Sequence, residues 1–206
     1  MTPKQIDQLN ITETINNWAL WRDAGEWERF RTVWHSDGWM CATWFQGTAS
    51  DFIEISRKGF ENGVSILHFL GGTTIDVQNQ RAIAQTKMTI NQRGLAHGEL
   101  VDVVCTGRFY DFFEKRSIQG QDCWRVVRRQ PIYEKDRMDS VDPSVLMKLN
   151  DEVLKGFPEG YRHLAYLQTE LGFKVKRDMP GLRGMVVESL YAQGRKWLRG
   201  ETPDFS

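Results

Sequence analysis

Apolar side chains recur at helical spacing three times near the amino terminus and then give way to strand-like alternation. Residues 10–22 carry Ile11, Ile15, Trp18 and Arg22 on one stripe, with Trp21 beside Trp18. Asn10 and Glu13 have the spacing of a capping box. Asp23-Ala24-Gly25 breaks the pattern. Residues 26–34 renew it with Trp27, Phe30 and Val33 or Trp34, and His35-Ser36-Asp37-Gly38 reads as a turn before a strand over 39–46. A third amphipathic helix is predicted over 50–62, capped by Ser50 and ended by Asn62-Gly63. Phe52, Ile53, Ile55 and Phe60 are its apolar positions.

Strand patterns follow over 64–70, 81–91, 99–116 and 122–133. They are separated by turn signals at Gly71-Gly72, at 92–94 and at 118–120. Beyond Asp142-Pro143 the pattern is helical again over 144–154 and 186–198, around two Gly- and Pro-punctuated stretches, GFPEGYRHL and KRDMPGLRG. Helices first and antiparallel strands afterwards predict an α+β fold, with the helices on one face of a curved sheet, rather than a doubly wound one. The change of character divides the chain into a domain over 1–143 and a helical extension over 144–206.

Composition narrows the range of functions. The 27 basic and 27 acidic residues cancel, whereas a chain built to neutralise phosphate backbones carries a basic surplus. Nucleic acid is therefore not an expected partner. No run reaches the length of about 18 apolar residues that spans a bilayer, and the polar start MTPKQIDQLN is unlike a secretory leader. Three scattered cysteines without a CxxC pair fit a reducing compartment. A cytoplasmic protein without membrane attachment is the expectation.

Phosphate-loop, GxSxG and HExxH motifs are absent from the sequence. His35/Asp37 and His97/Glu99 offer paired ligands without a third, so no metal is assigned. Asp23 stands past the end of the first helix among Trp21 and Trp27. It is either a helix-stop residue facing water or a buried carboxylate whose pKa is raised by apolar neighbours and by the helix terminus. His68 falls in a strand apolar on both faces, so its imidazole is expected inside, satisfied by a backbone carbonyl or available to move a proton.

These residues fall in a familiar order. A helix ending in Asp23, the EWERFRTVW segment, SILHFLGG and GRFYDFFEKR followed by WRVVRRQPIYEKDR resemble the SnoaL-like branch of the NTF2-like superfamily over roughly residues 8–142. The resemblance implies a cone: a bent antiparallel or mixed sheet around the first helices, with a deep apolar pocket at the open end. It also implies that Asp23 orients His68, and that His68 removes a proton from a small hydrophobic or aromatic substrate. Such an enzyme is a cofactor-independent lyase of the dehydratase type or an isomerase. Trp21, Trp34, Trp44 and Phe69 are the expected pocket wall, and Tyr110 or Tyr133 a hydrogen-bond donor. Where relatives carry Lys or Tyr ahead of the Asp, this chain has Trp18 or Ala19, so an arginine from the last strand is the expected substitute. Strand alternation from Trp124 and Val126 selects Arg128, and a shift of one residue selects Arg129. Self-association as a dimer or trimer is implied too. The competing reading is a non-catalytic ligand-binding or structural subunit, like the small subunits of ring-hydroxylating dioxygenases.

Overall fold

The computed structural model describes residues 1–204 and has the α+β architecture of the cone. The first helix, α1 (Pro3–Asp23), starts seven residues before the expected Asn10 cap. Thr2 accepts from the Gln5 amide while the Gln5 side chain accepts from the Thr2 amide, with Pro3 opening the first turn. Ile11, Ile15, Trp18, Ala19 and Arg22 form its buried stripe. The next helix, α2 (Trp27–Arg31), is shorter than expected, because the chain enters β1 (Trp34–Cys41) through the segment that reads as a turn. After β2 (Gln46–Thr48), α3 (Ala49–Glu61) is capped by Thr48 rather than Ser50.

Four long strands complete the sheet: β3 (Ser65–Gln78), β4 (Arg81–Ala96), β5 (Glu99–Ile118) and β6 (Gln121–Ser140). Their order is β2-β1-β6-β5-β4-β3, antiparallel except for the parallel pair of β1 with β6. Gly71-Gly72 does not end a strand. Instead β3 runs through with a shift of register between Leu70 and Thr73, and the reversals fall at left-handed residues Asn79, His97-Gly98 and Gln119-Gly120. The sheet is curved and unclosed, and α1 packs against β3 and β6 on its concave side. Phe30, Phe52, Ile53, Phe109, Phe113 and Val126 are among the buried residues of this core.

The expected helix over 144–154 is reduced to α4 (Asp151–Lys155). Two further helices follow, α5 (Arg162–Glu170) and α6 (Met185–Leu198). They cover opposite faces. From α5 and its approach, Phe157, Tyr161, Leu164, Ala165 and Leu167 join the concave core, whereas α6 places Val187, Leu190 and Trp197 over Tyr110, Phe112 and Ile132 on the convex face. Gly194 permits that contact, since a Cβ there would overlap the Tyr110 phenol oxygen. No described helix is long and apolar enough to cross a membrane.

Candidate active site

The end of α1 and the second inward-facing residue of β3 bring Asp23 and His68 together across 45 positions of sequence. Asp23 Oδ1 lies 2.8 Å from His68 Nδ1, and Asp23 Oδ2 accepts from the His68 backbone N–H at 2.5 Å. One carboxylate thus holds both the ring and the strand that carries it. With Nδ1 occupied, Nε2 is the ring nitrogen left to accept a proton. The imidazole is 7% exposed and packs edge-on against Trp18, with ring centroids 5.0 Å apart and planes at 87°.

Charge around the pair departs from the sequence expectation. Burial is the largest single influence on Asp23 and pushes its carboxyl upward, but hydrogen bonds and attraction from His68, with attraction from Arg22, outweigh it. The net shift is downward, not upward. Burial is also the largest influence on His68 and pushes its pKa down. Arg22 and Arg129 act in the same direction, against the pull of Asp23. The neutral, proton-accepting imidazole is therefore the favoured form.

Arg22 is the residue beside the pair to which sequence reasoning gave no role. Its guanidinium is buried, bonds Asp23 Oδ1 at 3.2 Å and the Ile66 carbonyl at 3.4 Å through Nη1, and leaves Nε without a partner among the described residues. The signal was present, because an arginine occupied the apolar stripe of α1. Burial of this cation lowers its pKa, opposed by Asp23.

His68 and Arg22, but not Asp23, line a cavity of about 40 Å³ together with Trp18, Trp44, Phe109 and Tyr133, among others. Of the expected wall, Trp44 is in place. Trp21 instead lies under the Arg29 guanidinium, 4.6 Å from ring centroid to Cζ. Trp34 is buried against Phe30 away from the cavity. Phe69 is 71% exposed, because alternation on edge strand β3 turns it outward when His68 turns in. Tyr110 points to α6 on the convex face, and Tyr133 lines the cavity instead, its phenol kept neutral by burial. Arg128 is also on the wrong side. Phe113 pairs with Val126 and Phe112 with Arg128, so Val127 is an extra residue in β6. This bulge reverses the alternation and brings Arg129 inside. Arg129 and Asp111 are both fully buried and joined by two bonds of 2.7 Å. The guanidinium lies 4.1 Å from the ring centroids of both Trp18 and Phe109.

The mouth is filled by α5. Leu164 and Gln168 line the cavity, and Gln168 links Thr43 and Gln92 by bonds of 2.6 and 3.1 Å. Trp44 packs against Phe173 beyond α5 at 5.5 Å. At about 40 Å³ the space suits a few water molecules and is much smaller than the deep pocket expected. Among the described residues, no group of three or more His, Cys, Asp or Glu is placed to hold a metal.

The profile of the SnoaL-like domain matches residues 5–130. The chain belongs to the SnoaL-like family. Pea pathogenicity protein 2 of Fusarium vanettenii is 37% identical to this SnoaL-like chain, over 95% of it and 87% of the relative. Among solved structures, a candidate scytalone dehydratase of Novosphingobium aromaticivorans superposes with a TM-score of 0.53 at 15% identity, covering 70% of this chain and 97% of that one. The beta subunit of a candidate aromatic-ring-hydroxylating dioxygenase from the same organism gives 0.50 at 16% identity, over 64% and 92%. At such identities the likeness is one of fold.

Proposed function

We propose that this SnoaL-like chain is a cofactor-independent lyase of the dehydratase type, or an isomerase, acting on a small hydrophobic or aromatic molecule. His68 Nε2 takes a proton from carbon beside a carbonyl, and Asp23 holds the imidazole and balances the charge it gains. The Arg22 guanidinium, beside the pair, stabilises the oxyanion or departing group that develops as the C–H bond breaks. The observation carrying this reading is the double hold of one carboxylate on the ring and the backbone of a histidine that lines an apolar cavity.

Deuterium exchange provides a test that needs no leaving group. In D2O, 2-tetralone, a flat enolisable ketone, is expected to exchange its α-protons faster with the protein than without it. His68→Ala should reduce the protein-dependent rate by about 100-fold or more while keeping the parent circular dichroism. Undiminished exchange in that variant rejects His68 as the base.

A second reading rests on the size of the cavity. A space of about 40 Å³ closed by α5 fits a ligand-binding or structural subunit in which the pair is a buried strut. No exchange by the parent protein, together with stable co-purification of a larger enzyme chain, supports that reading.

A further inference from the structure

A separate cleft of about 340 Å³ opens where α2, β1, the start of α3 and β6 meet, and it shares no lining residue with the cavity around His68. It is lined by Arg31, His35, Ser36, Ser50 and Arg125, with Trp34, Ala49 and Ile53 as its apolar part; no carboxylate lines it. We propose that this cleft binds a phosphate-type oxyanion, free or as the head of a phosphate ester.

Four observations converge on that chemistry. Arg125 is half-buried, and no described carboxylate forms an ion pair with it; among the described residues its guanidinium makes one hydrogen bond, a long contact of 3.4 Å to the Trp34 carbonyl. The guanidinium thus retains donors for an oxyanion, in the planar geometry that suits two of its oxygens. The cleft also receives the amino terminus of α3, a helix of 13 residues. Thr48 caps the Asp51 amide, while Ala49 and Ser50, the two residues before Asp51 in the same first turn, sit in the cleft wall at the positive end of the helix. Ser36 and Ser50 add hydroxyl-bearing side chains to the lining. Trp34, 2% exposed, forms part of the wall, and its buried indole Nε1–H has no acceptor among the described residues. Arg31 is already paired with Glu54 at 3.0 Å, so Arg125 supplies the uncompensated charge.

The arrangement differs from an ordinary basic surface. The cationic, hydroxyl and helix-terminal donors come from four elements and face one concavity, and its volume reaches the range of small-molecule sites. An oxyanion there joins the end of α2 to the start of α3 through charge-assisted bonds.

Titration of the isotopically labelled full chain with inorganic phosphate, and separately with phenyl phosphate, tests the proposal at fixed low ionic strength. Saturable shifts are expected at the Ala49 and Ser50 amides and the Trp34 indole. Arg125→Met should weaken binding by about tenfold or more, the scale of one charge-assisted hydrogen bond. Ser50→Glu puts a carboxylate at the start of α3, where the helix terminus favours it, and should abolish binding without loss of fold. His68→Ala should bind as the parent does. Tighter binding of phenyl phosphate identifies an ester as the ligand, and equal binding identifies free phosphate. Absence of saturation, equal affinity in Arg125→Met or Ser50→Glu, or the same shifts with chloride would overturn the proposal.

Discussion

In the proposed mechanism, burial first, and the buried Arg22 beside the ring after it, set the pH at which His68 works as a base. Burial, Arg22 and Arg129 all favour the uncharged imidazole, so His68 is expected to titrate below the ordinary histidine value of about 6.5. The acid limb of any proton-abstraction profile should share that midpoint. Removing the cation reverses part of the shift. In Arg22→Met the His68 midpoint, followed by imidazole resonances, is expected to rise, and the acid limb to move to higher pH. An unchanged midpoint would show that Arg22 does not act on the base. The same variant should lower the exchange rate at pH 8, where His68 is neutral in both proteins, because the stabilising cation is gone. Arg129 belongs to a different economy of charge. Its only carboxylate partner among the described residues is Asp111, and both are fully buried. Asp111→Asn leaves a buried cation without its counter-charge, and a loss of about 3–5 kcal/mol is expected in urea unfolding. Replacing both by apolar residues of similar volume should recover much of it.

Among the elements, α5 determines whether the cavity can admit anything larger than water. It is fastened at its start, where Asp136 accepts from His163 Nδ1 and from the Leu164 amide, both at 2.8 Å. Farther along, Gln168 ties it to Thr43 and Gln92. Leu164→Ala removes buried methyls from the cavity wall, with an expected cost of about 2–5 kcal/mol, and should speed exchange of 2-tetralone if α5 closes the route in. Faster unfolding without faster exchange would separate support from closure. Much of this arrangement was readable in advance. His68 was expected inside from its apolar neighbours, whereas the break after the α1 stripe left Asp23 either facing water or buried, and only the family resemblance joined it to His68. Other parts were hidden for identifiable reasons. The extra Val127 that turns Arg129 inward leaves no trace in local composition, since every residue around it suits a strand. The helix over α5 was masked by the glycines and prolines on either side, although Leu164, Leu167 and Leu171 keep helical spacing there. Gly71-Gly72 reads as a reversal, but β3 absorbs it as an irregularity of pairing with β4.

At the scale of the whole molecule, the site and the fold are coupled through protons. Asp23 and His68 both have depressed pKa values in the folded chain, so the unfolded chain binds more protons in acid. For His68 the stabilisation is complete above about pH 6.5, the unfolded value, and is lost as pH falls through the lower folded value. Asp23 holds its contribution until pH falls below the unfolded carboxyl value of about 3.9, and loses it as pH passes through the folded one. The strands held by this pair include edge strand β3, which has no neighbour on its other side and exposes Leu67 and Phe69. Protonation of the pair therefore loosens the sheet where it has the least cover. Urea midpoints measured from pH 8 to pH 4 should fall, and part of the fall between pH 7 and 5 should disappear in His68→Gln, which cannot charge; His35, whose pKa burial also lowers, accounts for a further part. Hydrogen exchange in the same series should show β3 opening first. An identical pH slope in parent and variant, with β3 no faster than β5, would mean that proton uptake by this pair does not limit the stability of the cone.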